Sequence, residues 1–188
     1  MVRLTIDGTP VSVPEGTTIL NAAREAGITI PTLCELKGLN EIGACRVCVV
    51  KVEGEDRFPA SCTTPVAEGM EVRTNTPEVV TARRSNVKMI LSEHRSECTS
   101  CLRADTCALQ QISRDLGAWN LPFPSNQTKA GDWDHDFPLR RDSSKCIKCM
   151  RCVSVCEKNQ HCAVWDFTGT GPHMKVTVRE GLPIADAG

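Results

Sequence analysis

The sequence predicts a modular α+β chain, and three observations predict it. Alternating apolar and polar residues open the chain and are followed by a short amphipathic helix and further strand-like runs. Helical patterns then take over. Twelve cysteines gather in compact groups, while three Trp, four Phe and no Tyr leave little aromatic bulk for ordinary cores. A chain of 188 residues has room for one or two ordinary domains, or for several small units nucleated by metal. The cysteine count favours the small units, with bound metal contributing much of the folding free energy.

Residues 2 to 7 and 10 to 13 alternate around Gly8 and read as a hairpin. In the helix that follows, Ile19, Ala22, Ala23 and Ala26 share one face, Thr17 or Thr18 caps the start and Gly27 ends it. Val47 to Val52 and Glu71 to Arg73 are expected strands, with a loop from Pro31 to Cys48, closing a compact unit over 1–75. Thr76-Pro77 opens a second helix, because proline at the first helical position sacrifices no hydrogen bond. Val80, Val87, Ile90 and Leu91 give that helix its apolar stripe, and it delivers His94 at its C-terminal end. Leu109, Ile112 and Leu116 mark a short helix ended by Gly117, within a second unit over 76–120. Residues 121–142 lack periodicity and form a linker or extended surface segment, and 143–188 make a third unit.

Composition excludes several functions. The net charge of -1 is too low for a general nucleic-acid surface, which needs a basic excess. No window approaches the length of a membrane span, and the N-terminus lacks a basic segment followed by an apolar core, so a cytoplasmic chain with reduced thiols is expected. Asn126-Gln127-Thr128 is then a glycosylation sequon only on paper. No phosphate-binding glycine loop occurs, since the glycine-rich text at 168–172 runs into proline rather than opening a helix. Asp134 and Asp136 lie in an irregular polar stretch where solvation is the default reading.

The first cysteine group is Cys34, Cys45, Cys48 and Cys62, spaced C-x10-C-x2-C-x13-C, with Gly43 and Ala44 allowing close backbone approach to the sulfurs. Such a set suits a 2Fe-2S cluster or a structural zinc ion. The second is His94, Cys98, Cys101 and Cys107, an H-x3-C-x2-C-x5-C run between two helices. A histidine four residues before a C-x2-C pair reads as a ligand, and imidazole in place of thiolate removes a negative charge and raises a cluster's potential. The third is Cys146, Cys149, Cys152 and Cys156, at the C-x2-C-x2-C-x3-C spacing by which bacterial ferredoxins hold 4Fe-4S clusters. In two-cluster ferredoxins the fourth cysteine serves the other cluster. By that rule Cys146, Cys149 and Cys152 lack a fourth partner within the chain, and Cys156 serves a neighbouring 4Fe-4S cluster. Cys162 stands alone and reads as a small buried residue rather than a spare ligand. Lys145, Lys148 and Arg151 interleave the third group, either offsetting cluster charge or guiding an acidic partner, or else forming a solvated face.

The texts IGACRVCVV, HRSECTSCLRADTCALQQISRDLG and KCIKCMRCVSVCEKNQ resemble the N-terminal iron-sulfur relay region of iron-only hydrogenases, the large iron-sulfur subunit of complex I and the diaphorase part of NAD-reducing hydrogenases. The resemblance covers nearly the whole chain. It implies a β-grasp 2Fe-2S ferredoxin domain, a helical 4Fe-4S segment with one histidine and three cysteine ligands, and the first half of a bacterial-type ferredoxin domain. One 2Fe-2S and two 4Fe-4S clusters follow, the second 4Fe-4S incomplete within the chain. The implied role is one-electron relay between a flavin or NAD(P)H-oxidising partner and a hydrogenase active site. The text from Cys107 to Gln160 looks most like a multimeric iron-only hydrogenase; a subunit of an NAD-reducing hydrogenase, formate dehydrogenase or complex I-like enzyme is the alternative. The motifs of the hydrogen-activating cluster are lacking, so no catalytic residue is assigned. A zinc-stabilised interaction module is the rival of another class.

Overall fold

The computed structural model describes residues 1–120 and 141–187. Most of the expected linker, with the sequon at Asn126 and with Asp134 and Asp136, lies outside the described residues. Strands β1 (Val2–Ile6) and β2 (Thr9–Val13) pair antiparallel, Ile6 opposite Thr9. Asp7 and Gly8 both take positive φ, 48° and 83°, the geometry that matches the twist of a two-residue hairpin. Helix α1 (Ile19–Glu25) starts where Thr18 accepts the Asn21 amide, choosing between the two expected caps. β3 (Lys51–Val52) and β4 (Met70–Arg73) complete a sheet in the order β2-β1-β4-β3, with β1 and β4 parallel across the α1 connection. Ile19, Leu20, Ala22 and Ala23 of α1 pack on Leu4, Ile6, Val13 and Val72 of the sheet. Each large aliphatic side chain buried there stabilises the unit by about 1.5–3 kcal/mol.

The expected strand from Val47 is corrected: only Lys51 and Val52 belong to the sheet. Val47 to Val50 are fully buried, but their backbone bonds go elsewhere. Val49 forms an isolated bridge with Ala60, the Val50 amide donates to Pro59, and the Val49 carbonyl accepts from Arg83. Buried peptide groups must be paired, and here loop partners satisfy them before a ladder can form.

Helix α2 (Pro77–Glu93) is capped by Thr76 and ends at His94, as expected. Its buried stripe is Val79, Arg83, Val87 and Leu91, so Val79 replaces Val80 at the start. After 3-10 turns at Cys98–Ser100 and Ala104–Thr106 comes α3 (Ala108–Asp115), followed by Gly117 at φ 60°. A second core joins Val87 and Leu91 of α2 to Leu109, Leu33, Val47 and Ala118. Helix α4 (Arg151–Lys158) follows the third cysteine loop, and β5 (Trp165–Thr168) pairs antiparallel with β6 (Lys175–Val178). This last hairpin was not expected from the sequence. Arg141 secures it from outside, stacking on Trp165 at 5.0 Å and donating to the Val176 carbonyl. Asp142 caps the turn at Ser143–Lys145, its carboxylate accepting the Ser144 amide.

Candidate metal centres

The first group is brought together between the sheet and α2. Cys34, Cys48 and Cys62 are buried, and Cys45 is half-buried. Cys48 Sγ and Cys62 Sγ stand 3.4 Å apart. Hydrogen bonding to its neighbour holds the Cys48 thiol down to about 6, and the bond with Cys34 does the same for Cys45, helped by the Val47 amide. The same sharing, with burial, pushes Cys34 and Cys62 up. Four cysteine sulfurs gathered in a largely buried site are the donor set that a dinuclear iron cluster takes. Gly43 at φ 63° and Arg46 at φ 54° bend the loop that carries Cys45 and Cys48. Arg83 is the buried cation beside this site. Its guanidinium donates twice to the Val49 carbonyl, at 3.1 and 2.7 Å, and lies close enough to Cys48 to feel its charge. Sequence reading missed Arg83, although a charged residue four positions from both Val79 and Val87 was the signal.

In the second group, His94, Cys98, Cys101 and Cys107 line one cavity of about 350 Å³. Burial, with Lys145 nearby, pushes the His94 imidazole below its usual range against the pull of Asp142. The Nδ1 atom lies 3.3 Å from Ser96 Oγ. Cys107 also begins α3, its sulfur accepting the Gln110 amide.

The third group divides. Packing pushes the Cys152 thiol up even though its side chain reaches solvent, and the nearby Cys149 and Cys146 thiols add to that push. Positive φ at Lys148 and Met150 folds this loop tightly. Cys156 is buried on α4, its sulfur accepting the Val164 amide at 3.2 Å. Cys162 is a correction: it is exposed, its thiol donating to the Gln160 carbonyl. His161 and Ala163 at positive φ twist the chain around it, so the buried position near α4 goes to Cys156. Neither Lys148 nor Arg151 is a solvated face. Lys148 pairs with Glu93 and Arg151 donates to the carbonyls of Cys34 and Glu35.

The groups are neighbours. Cys149 lines the same cavity as the second group, and Cys45 and Cys146 line another of about 300 Å³. Among the described residues, no three His, Cys, Asp or Glu side chains form a compact single-ion site, and no helix is long and apolar enough to cross a membrane.

Three family models match in succession: a 2Fe-2S iron-sulfur cluster binding domain over 1–77, the NADH-ubiquinone oxidoreductase-G iron-sulfur binding region over 83–120, and a 4Fe-4S binding domain over 139–159. The HndD subunit of the NADP-reducing hydrogenase of Solidesulfovibrio fructosivorans is 41% identical over 99% of this chain, which spans 33% of that relative. The G 2 subunit of the NADH-quinone oxidoreductase of Rhizobium meliloti is 36% identical over 96% of the chain, which spans 22% of it. The gamma subunit of the NAD-reducing hydrogenase HoxS of Cupriavidus necator is 31% identical over 94% of the chain, and here 75% of the relative is covered. A crystal structure of an NAD+-reducing [NiFe]-hydrogenase in the H2-reduced state superposes with a TM-score of 0.84 at 25% identity, over 99% of this chain and 79% of that one. With a 2Fe-2S domain followed by 4Fe-4S regions, the chain belongs to the iron-sulfur electron-transfer family shared by iron-only hydrogenases, the large iron-sulfur subunit of NADH-quinone oxidoreductase and NAD-reducing hydrogenases.

Proposed function

We propose that this chain relays single electrons between a flavin or NAD(P)H-oxidising partner and a hydrogenase active site, as part of a multimeric hydrogenase. The observation that carries the reading is the shared lining of the cavities: Cys45 with Cys146, and Cys149 with His94, Cys98, Cys101 and Cys107. Cys34, Cys45, Cys48 and Cys62 would hold a 2Fe-2S cluster in a β-grasp domain, and His94, Cys98, Cys101 and Cys107 a 4Fe-4S cluster. Cys146, Cys149 and Cys152 would hold three corners of a second 4Fe-4S cluster whose fourth ligand comes from outside the three groups, with Cys156 serving a further cluster. When bound, these clusters supply one-electron storage at potentials set by ligand identity, hydrogen bonds and burial. The protein's own residues bury Cys34, Cys48 and Cys62, set the Arg83 cation beside Cys48, and pack Cys45 and Cys107 against the second core. An electron-transfer subunit of an NAD-reducing hydrogenase is the second reading, favoured by the 75% coverage of the HoxS relative.

Anaerobic reconstitution with iron and sulfide tests this. The relay reading expects a brown protein with about ten irons if three clusters fill. A colourless protein that takes up zinc instead would end it.

A further inference from the structure

Asn40 is fully buried and lies in none of the cysteine groups, yet it touches two of them. Its Nδ2 donates to the Cys34 carbonyl at 2.6 Å and to the Cys149 carbonyl at 2.8 Å. Its Oδ1 accepts the Ser154 hydroxyl at 2.7 Å. With two carbonyl acceptors on one side of the amide and a hydroxyl on the other, only one orientation of the amide satisfies all three partners. The backbone presents the side chain rigidly, because Leu36 and Asn40 exchange amide-to-carbonyl bonds of 3.0 and 2.8 Å across a tight loop.

The same face of α4 completes the contact. Arg151, Ser154 and Lys158 recur at helical spacing, and all three reach the 34–40 loop: Arg151 to the Cys34 and Glu35 carbonyls, Ser154 to Asn40, Lys158 to the Leu39 carbonyl at 2.9 Å. The outer members are charged side chains near solvent. Asn40 and Ser154 are the buried centre, where an unpaired polar group is most costly.

We infer that Asn40 is a positioning residue that locks the third cysteine loop onto the first and provides the hydrogen-bonded bridge coupling their two metal groups. The inference rests on the reading of both groups as cluster ligands. Each sulfur joins its own carbonyl through Cβ, Cα and the carbonyl carbon. The two carbonyls then meet on a single nitrogen, so sulfur connects to sulfur through covalent and hydrogen bonds without crossing open space. Asn40 acts through Cys34 and Cys149 and ligates nothing itself.

The test compares the anaerobically reconstituted chain with its Asn40→Leu and Ser154→Ala variants. Leucine keeps the volume and adds no charge while removing both donors; alanine at 154 removes only the hydroxyl that orients the amide. Two readouts are taken: hydrogen exchange of residues 146–156, and the enhanced spin relaxation that a paramagnet in the third group imposes on the reduced cluster of the first. Asn40→Leu is expected to retain iron in the first and second groups, raise exchange about tenfold, and lose the relaxation enhancement. Ser154→Ala is expected to lose part of both effects, and it decides the matter if Asn40→Leu does not load iron. Loaded variants with wild-type exchange and wild-type relaxation overturn the inference, as does a loaded wild type whose first-group signal relaxes as an isolated cluster. A wild type that binds no iron sinks the cluster reading instead.

Discussion

Gly43 offers a sharp test of how the first metal loop is built. Its φ of +63° is left-handed, and a Cβ placed there would stand 3.2 Å from Thr63 Cγ2 and 3.3 Å from Thr63 Oγ1, beside the buried Cys62. Gly43→Ala therefore carries two costs: about 1–2 kcal/mol for a left-handed alanine and about 1–3 kcal/mol for crowding. Lost freedom in the unfolded chain returns about 0.4–1 kcal/mol. The net expectation is about 2–3 kcal/mol. Gly38→Ala is the control, since Gly38 has a φ of +74° and nothing within 4 Å of the added carbon. It carries the backbone cost alone, about 1 kcal/mol or less. For a unit the size of the first matched region, each kcal/mol moves Tm by about 4–8 °C. Gly43→Ala should thus lower the melting point of the visible circular dichroism by about 8–24 °C, and Gly38→Ala by about 8 °C or less, at one fixed scan rate. Thr63→Ser in the Gly43→Ala background removes the nearer contact and should recover about half the gap between the two variants. If Gly43→Ala is as mild as Gly38→Ala, or Thr63→Ser recovers nothing, the close packing of this loop on Thr63 is not what shapes the site.

Two further predictions concern charge. His94→Cys exchanges a neutral imidazole for a thiolate and should lower the midpoint potential of the second group's cluster in an EPR redox titration; an unchanged potential would mean that His94 is no ligand. Glu35 is 6% exposed, and its carboxylate is held by two bonds from Arg24, at 2.9 and 2.7 Å. Those bonds keep it below the usual carboxylate range, outweighing burial, which works upward. A depressed folded pKa gives stability that is present above the unfolded value of about 4.3 and is lost as pH falls through the folded value. The urea midpoint gap between wild type and Glu35→Gln should hold from pH 7 to about 5 and narrow at lower pH. A gap independent of pH down to about 3 would refute it.

Much of the scaffold was legible because local chemistry decides it. Asp7-Gly8 dictates the first hairpin, Thr18 and Thr76 the helix starts, and Gly27 and Gly117 the ends, since each choice depends on a few adjacent residues. The Cys and His spacings are read at the same local level, because a cluster bound there would impose its pattern on sequence directly. Val47 to Val50 misled for the opposite reason. A run of buried valines is compatible with a strand, and only the placement of Pro59, Ala60 and Arg83 diverted its peptide groups into loop bonds. The β5–β6 hairpin went unseen because its two runs are short and partly exposed, and it is fastened by Arg141 from outside.

By itself the sequence determined the kind of chain this is: which residues carry thiols and imidazole, at what spacing, and on which short elements. Tertiary structure alone decided how those groups meet. Cys156 and Cys162 are only six positions apart, yet one is buried under Val164 and the other faces solvent. Asn40 and Arg151, far apart in the chain, converge on the Cys34 carbonyl. Contacts between distant segments depend on how whole units pack, and no local pattern of side chains encodes that arrangement.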